Sequence, residues 1–376
     1  MPVEFIGYVS AREQTETLDL PGPAVDPAYI AATALLHERA GFDRALVAFH
    51  STSPDSVLIA QHAASVTSRL GLLIAHRPGF TAPTLAARQF ATLDHLSRGR
   101  VAVHIITGGN DRELEADGDH LSKPERYQRT AEYLKILRRE WAGGSPFDHD
   151  GEFYRLRGAS SAVLPYQSNG IPLYFGGASE EAIKVASELA DGYALWGEPL
   201  ASAAELVGKV RAAGQKYNRS LRFSISFRPI IADTEEEAWA RAAVIQTQIE
   251  KRQATILPTQ SGIALDHAGA HPTADNLPTN EGSRRLQAIA AKSARHDERL
   301  WTGVTQVTGG RWNSTSLVGT AEQVAQSLLE YYRLGIETFL IRGFDPLTDA
   351  IRYGRDLIPR VRSLVEQEDR LRRTSG

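Results

Sequence analysis

The chain has 376 residues, with 42 Lys and Arg against 45 Asp and Glu and a net charge of −3. That balance gives no global case for binding nucleic acid or an acidic membrane surface. It has no cysteine, which excludes disulfides, zinc fingers, thiolate nucleophiles and iron–sulfur clusters together and fits a cytoplasmic protein. No run approaches the ~18 apolar residues needed to cross a bilayer. The opening MPVEFIGYVS lacks the basic-then-apolar pattern of a signal peptide.

Short apolar strands alternate with helical patterns along the chain. Strands are predicted at VEFIGYVS (3–10), RALVAF (44–49), GLLIAH (71–76) and RVAVHIITG (100–108). They continue with IPLYFGG (171–177), GYALWG (192–197), FSISFRPII (223–231) and ETFLIRGF (337–344). Several are apolar on both faces, as a buried parallel sheet requires. PAYIAATALLHERAG spaces its apolar residues three and four apart and ends at Gly41, a C-cap signal. Helical patterns also follow in PTLAARQFATLDHLSRG, ERYQRTAEYLKILRREWAGG and EEAIKVASELADG. Eight β-then-α units predict an α/β (β/α)8 TIM barrel. A doubly wound sheet also alternates, but no Gly-x-Gly-x-x-Gly follows the first strand.

Two insertions break the rhythm. Residues 143–170 read as a short β excursion before the fifth strand. Residues 253–284, rich in Pro, Gly, Asn and Thr, lack periodicity. A loop that long, between the seventh and eighth strands, suits a lid over the barrel mouth or a surface insertion.

The turn Phe175-Gly176-Gly177-Ala178-Ser179 joins a strand end to a helix start. Bare amides and a helix N-terminus there suit a phosphate, and loops after late barrel strands often bind one. Ser179 would cap the helix or meet the phosphate. His104 leads into a Thr107-Gly-Gly turn, Tyr127 lies in the first turn of the next helix, and Trp196 closes the sixth strand. Together these describe a phosphate pocket beside a flat aromatic ligand. His50 and His76 end the second and third strands, where either would position a ligand, move a proton or serve a structural role. The acidic run DRELEADGDH (111–120) has no tight metal-ligand spacing and reads as a solvated loop.

The pieces FTAPTLAARQFATLDHLSRGR, HIITGG, ERYQRTAEYLKILRREW, LYFGGASEEAIKVASELADGYALWGEP and LVGTAEQVAQSLLEYYRLGIETFLIRGF resemble the bacterial luciferase-like flavin monooxygenases, and within them most the alkanesulfonate monooxygenase branch. The resemblance runs from about residue 4 to 365, so the whole chain, 1–376, reads as one barrel domain with two insertions. It implies reduced FMN (FMNH2) supplied by a separate NAD(P)H:FMN reductase, O2 as co-substrate, and a homodimer or homotetramer. It implies that Gly177, Ala178 and Ser179 meet the FMN phosphate with Tyr127 nearby, and that His104, Thr107 and Ser53 lie along the ring and ribityl chain.

The sequence departs from the sulfonate pattern at several places. The branch's Arg-x-His pair on strand seven is matched by Ser226 and Arg228, its strand-eight Tyr by Phe344, and its Cys after strand two by Ser53. Its strand-one His is matched loosely by Ala11, and its strand-four Asn by His104. Arg311, in TGGRWNSTS, stands near the branch's mobile arginine loop. A fork of charged donors holds a tetrahedral sulfonate, and Ser226 has none to offer. Arg228 restores a charge two residues on, along the same strand face. Arg228, Arg311 and Arg342 suggest an anionic or polar-acceptor substrate, with Arg342 reading first as a surface salt-bridge partner.

The expectation is therefore a two-component FMNH2-dependent monooxygenase for a small anionic or organosulfur molecule. Trp196 and Phe344 would wall the pocket, with His50, His76 and Ser226 also around the substrate. Arg228 and Arg311 would clamp polar groups, and His104 and Ser53 would assist. No metal, nucleic acid or membrane is called for. Two rivals stand beside it, a deazaflavin- or flavin-dependent dehydrogenase on the same barrel and a non-catalytic flavin-binding protein.

Overall fold

Eight parallel strands pair edge to edge until the last meets the first. The computed structural model describes residues 3–18, 20–255, 280–311 and 313–374. The chain runs β1 (Glu4–Tyr8), α1 (Pro27–Arg39), β2 (Arg44–Val47), α2 (Ser56–Val66), β3 (Gly71–His76), α3 (Pro83–Ser97) and β4 (Val101–Ile105). Helices α4 (Asp111–Ala116) and α5 (Lys123–Ala142) lead to a hairpin, β5 (Phe147–Asp150) and β6 (Arg155–Ala159). Then come β7 (Leu173–Gly176), α6 (Glu180–Leu189), β8 (Gly192–Trp196), α7 (Leu200–Gln215) and β9 (Arg222–Phe227). Next are β10 (Ile230–Ala232), α8 (Glu235–Thr255), α9 (Glu281–Lys292), β11 (Arg295–His296), β12 (Leu300–Trp301), α10 (Gly303–Thr308) and β13 (Ser316–Thr320). The chain finishes with α11 (Ala321–Arg333), β14 (Thr338–Ile341), α12 (Pro346–Arg352), a π-helical turn over Tyr353–Leu357, and α13 (Ile358–Thr374).

The closed barrel is ordered β1-β14-β9-β8-β7-β4-β3-β2, and Glu4 against Thr338 sets the closing register. At this seam Arg222 of β9 pairs with Glu337, and it reaches Glu4 at 3.4 Å. The TIM barrel predicted from eight βα units is the architecture observed. Alternation along each strand splits the side chains between two layers. Ile6, Leu73, Ala102 and Tyr174, with Leu46 and Leu340, fill the barrel interior. Residues one place along, such as Phe5, Leu72, Ile74, Val103, Phe175 and Phe339, pack outward against the helices in the main core.

The helices start where the sequence supplies oxygen caps. Asp26 accepts from the Tyr29 amide at 3.1 Å, with Pro27 in the first turn. Ser122 with Glu125, and Thr320 with Gln323, form capping boxes on α5 and α11. Gly41, expected to end α1, sits just past the cap at φ +84°, a conformation that favours glycine.

The predicted strand FSISFRPII divides in two. Pro229 has no N–H to give a ladder, and Arg228 donates its amide to the Thr315 carbonyl at 2.9 Å. The chain leaves the barrel there, and β10 pairs in parallel with β13, which the sequence pattern did not single out. β10, β13, β12 and β11 form a second, four-stranded sheet. Ile230, Ala238, Ile245, Ile249, Trp301, Val304, Val318 and Phe344 give this excursion a core of its own. The 143–170 insertion carries the hairpin of β5 and β6. Of the expected lid 253–284, residues 256–279 lie outside the described residues, and the flanking ends belong to α8 and α9.

Under β1, His37 is buried against Gly7, where an added methyl would come within 2.0 Å of its ring. Burial holds its imidazole down at about 4, against a smaller upward pull from the Thr33 carbonyl it bonds at 2.8 Å. Between pH 6.5 and 4 the unfolded chain therefore binds the extra proton, so stability falls as pH falls. Unfolding in urea at pH 7 and pH 5 is expected to show His37 alone costing ~2 kcal/mol over that interval. His37→Asn should remove that share of the slope.

Candidate active site

The C-terminal ends of the barrel strands open on one face, and the inward residues nearest that face define its floor. His104 stands two residues beyond inward-facing Ala102 on β4. Burial holds its imidazole down at about 4, so it is neutral at physiological pH, and its Nδ1 is buried without a partner. The Thr107 and Ser226 hydroxyls are buried and unpartnered too. Ser226 lies in register between Trp196 and Leu340. Such orphaned polar atoms are uncommon in a folded interior, because each costs about 1–3 kcal/mol. Here several are gathered at one barrel end.

The glycine turn after β7 adjoins this floor. A methyl on Gly176 would sit 3.0 Å from the Ala194 carbonyl, a tight approach to β8, and 3.8 Å from His104 Cε1, an ordinary contact. Gly177 has φ +128°, and a methyl on it would meet Ala182 Cβ at 2.9 Å and the Tyr127 hydroxyl at 3.6 Å. Tyr193 donates its hydroxyl to the Gly177 carbonyl, fixing the turn from below. Ser179 caps α6 through the Ala182 amide at 3.3 Å, and the Tyr127 hydroxyl bonds the same serine. Ala178 packs its methyl on the main core. Burial pushes the Tyr127 phenol up, so it remains a neutral donor.

The excursion after β9 roofs the mouth. A methyl on Gly282, in the first turn of α9, would lie 3.2 Å from Trp196 Cε3. One on Gly109 would lie 3.3 Å from Asn280 Cβ. The start of α9 therefore spans from the Thr-Gly-Gly turn of β4 to the tryptophan of β8. Arg285 holds it there with a two-pronged pair to buried Glu198, at 2.9 and 2.6 Å. Gly310 abuts the Ser283 carbonyl, which sets the turn that carries the half-buried Arg311 against α9.

Several expected residues lie elsewhere. His76 points outward, against the expectation of a pocket position: its Nε2 bonds the Tyr133 hydroxyl at 2.7 Å and its ring meets Phe90 edge-on. It sits one residue past inward-facing Ala75, so the alternation of β3 turns it to the helices. Burial holds it at about 4. Arg228 is fully buried rather than at the substrate: Nη1 bonds Glu16 at 2.6 Å, Nη2 donates to the Gly343 carbonyl at 3.0 Å, and the guanidinium lies 3.6 Å over the Phe344 ring. Phe344 belongs to the core of the excursion, not to the pocket wall. Arg342 is no surface ion pair; it shares Glu16 with Arg228, at 3.1 Å. Ala11 packs on the main core. Ser53 bonds both ways with the His50 backbone, at 2.9 and 2.8 Å, and so shapes the turn after β2.

A second cluster went unseen in the sequence. Arg77, 4 % exposed, bonds Glu113 at 2.6 Å and the Ser51 hydroxyl at 2.9 Å, and His50 Nε2 lies 3.4 Å from the same carboxylate. Burial would push the Glu113 carboxyl up, but Arg77 and His50 together hold it below the usual carboxylate range. This ties the loops after β2, β3 and β4 to one another. The acidic run is largely exposed, as expected, but it forms helix α4 and is anchored at both ends: Asp111 pairs with Arg126 at 2.8 Å, and buried Asp119 with Arg129 at 2.5 Å. Among the described residues no group of three or more His, Asp or Glu is arranged to hold a metal ion, and no helix is long and apolar enough to cross a membrane.

The model of the family described as luciferase-like monooxygenase matches residues 4–338. Among solved structures, a riboflavin lyase with modified FMN and riboflavin superposes with a TM-score of 0.76 at 18% identity, covering 96% of this chain and 92% of that one. The EDTA monooxygenase of Chelativorans sp. BNC1 gives 0.72 at 19% identity, covering 96% and 94%. An F420-dependent secondary alcohol dehydrogenase bound to an F420–acetone adduct gives 0.66 at 18%, covering 96% and 99%. At these identities the likeness is one of fold.

Removing Glu113 leaves Arg77 charged in a nearly closed space. Glu113→Gln is expected to cost ~3 kcal/mol in urea unfolding, and Arg77→Met with Glu113→Gln together should recover part of it.

Proposed function

The chain belongs to the luciferase-like monooxygenase family, and from that premise we propose that it is a two-component monooxygenase that takes reduced FMN from a separate NAD(P)H:FMN reductase and oxygenates a small anionic or organosulfur molecule. The observation that carries this reading is the set of orphaned buried polar atoms, His104 Nδ1, Thr107 Oγ1 and Ser226 Oγ, beside a glycine turn at the barrel mouth. A flavin mononucleotide suits both parts. Its ring edge offers nitrogen and oxygen partners to those atoms, and its phosphate suits the amides of Gly177, Ala178 and Ser179 at the start of α6.

When bound, the reduced flavin supplies the electrons with which one atom of O2 enters the substrate. The protein's share is position and exclusion. Ser179 and Tyr127 give hydroxyls to the phosphate end. Neutral His104 exchanges hydrogen bonds with the ring without adding charge, and Thr107 donates beside it. Trp196 lies flat under the first turn of α9, and the two keep water from the reacting face. Arg311, carried by the next loop, would meet the substrate's polar end. His50 and Ser53, fixed by the Glu113 cluster, shape the opposite rim.

The departures from the alkanesulfonate branch bear on the substrate. Ser226 gives a neutral hydroxyl where that branch has a cation, and Arg228 is committed to Glu16. A simple alkanesulfonate would therefore lack its charged fork at this point.

A second reading rests on the F420-dependent neighbour. The same mouth would then hold a deazaflavin and transfer hydride without O2.

Anaerobic titration with photoreduced FMN, followed by protein fluorescence, separates the readings. Reduced FMN is expected to bind more tightly than a deazaflavin cofactor. The Ser179→Ala and Tyr127→Phe variants should each weaken it ~5–10-fold, and Gly177→Val should abolish it while the chain keeps its circular dichroism. Preference for the deazaflavin would overturn the monooxygenase reading. Because His104 stays neutral down to about pH 4, affinity from pH 8 to 5.5 should not follow a histidine titration.

A further inference from the structure

We propose that Arg342 forms an oxyanion subsite beside the barrel mouth and that it reads the charged end of the substrate; this rests on the monooxygenase reading only for calling the ligand a substrate. The argument starts from charge. Glu16 is the one carboxylate shared by Arg228, at 2.6 Å, and Arg342, at 3.1 and 3.2 Å. Glu16 is 8 % exposed and Arg228 fully buried. Burial would push the Glu16 carboxyl up, but the two guanidinium groups hold it down at about 2, so it is ionised. Two cations against one anion leave a net charge of +1 in a largely dehydrated place. Excess buried charge of that kind is stabilised by a counter-ion.

Geometry says where the counter-ion goes. Arg228 has spent both terminal nitrogens, on Glu16 and on the Gly343 carbonyl. Arg342 has spent Nη2 alone; among the described residues its Nε and Nη1 meet no acceptor. Its guanidinium carbon lies 4.7 Å over the Tyr8 ring, and its unspent N–H groups suit a planar or tetrahedral oxyanion. Arg342 lines a cavity of about 20 Å³ together with Tyr8, Ser10, Gln14, Thr15 and Gly343, backed by His37 and Tyr353, which is room for about one water-sized group. The buried Tyr29 hydroxyl, with Thr33 and Ser10 beside it, lies within electrostatic reach of the same guanidinium. A carboxylate or sulfonate would accept from those N–H groups and neutralise the cluster. A neutral ligand of the same shape would do neither.

The test uses the full chain and three probes of one length, hexanoate, hexane-1-sulfonate and hexan-1-ol, by calorimetric titration at constant ionic strength. The wild type is expected to bind at least one of the two anions at least tenfold more tightly than the alcohol. Arg342→Gln should lose that preference, and Arg342→Lys should keep part of it. Glu16 still pairs with Arg228 in both variants, and circular dichroism with reduced-FMN titration checks that fold and flavin site are intact. Equal binding of alcohol and anions by the wild type, or undiminished anion binding by Arg342→Gln, overturns the subsite. Loss of FMN binding by the wild type, with anion discrimination kept, would instead sink the flavin reading alone.

Discussion

Closure of the barrel is the constraint from which the rest follows. Once β14 meets β1, every strand residue has two destinations, the interior or the helical layer. Strand direction also sends every loop of one kind to one end. Ser226, Trp196 and His104, far apart in the chain, become neighbours of one mouth without any motif linking them. The same rule separates His76 from His104. Both are strand-end histidines and both are held neutral by burial, yet one serves Tyr133 in the helical layer and the other faces the opening.

Much of the fold was legible in the sequence, because buried parallel strands and capped amphipathic helices both leave periodic marks. Seven of the eight barrel strands fall within the apolar runs and β9 begins one residue before its run; the turn at Gly177 is where the glycines put it. The excursion was harder to read. FSISFRPII looks continuous, and only Pro229 hints that pairing changes partner there. β13 is five residues long and opens on Ser316, too short a run to stand out.

The site was legible where backbone chemistry drives it and poorly so where side-chain partners do. Glycines, a capping serine and a strand-end histidine carry their reasons locally. The fate of an arginine depends on which carboxylate the fold brings near. Arg228 shares a strand face with Ser226, which suggests a pocket position, but Glu16 lies 212 residues away in sequence and captures it. Arg77 and Glu113 are likewise 36 residues apart, and neither stands in a pattern that points to the other.

The exit of the chain at Pro229 has an evolutionary side. Residues 230–320 build a sheet, helices and a core of their own before the chain returns to close the cylinder. The first turn of α9 lies against Trp196, and the loop before β13 carries Arg311. Such a cassette can drift, lengthen or be exchanged while the floor beneath it keeps its shape. Changes confined to that stretch of gene therefore need not disturb the barrel beneath.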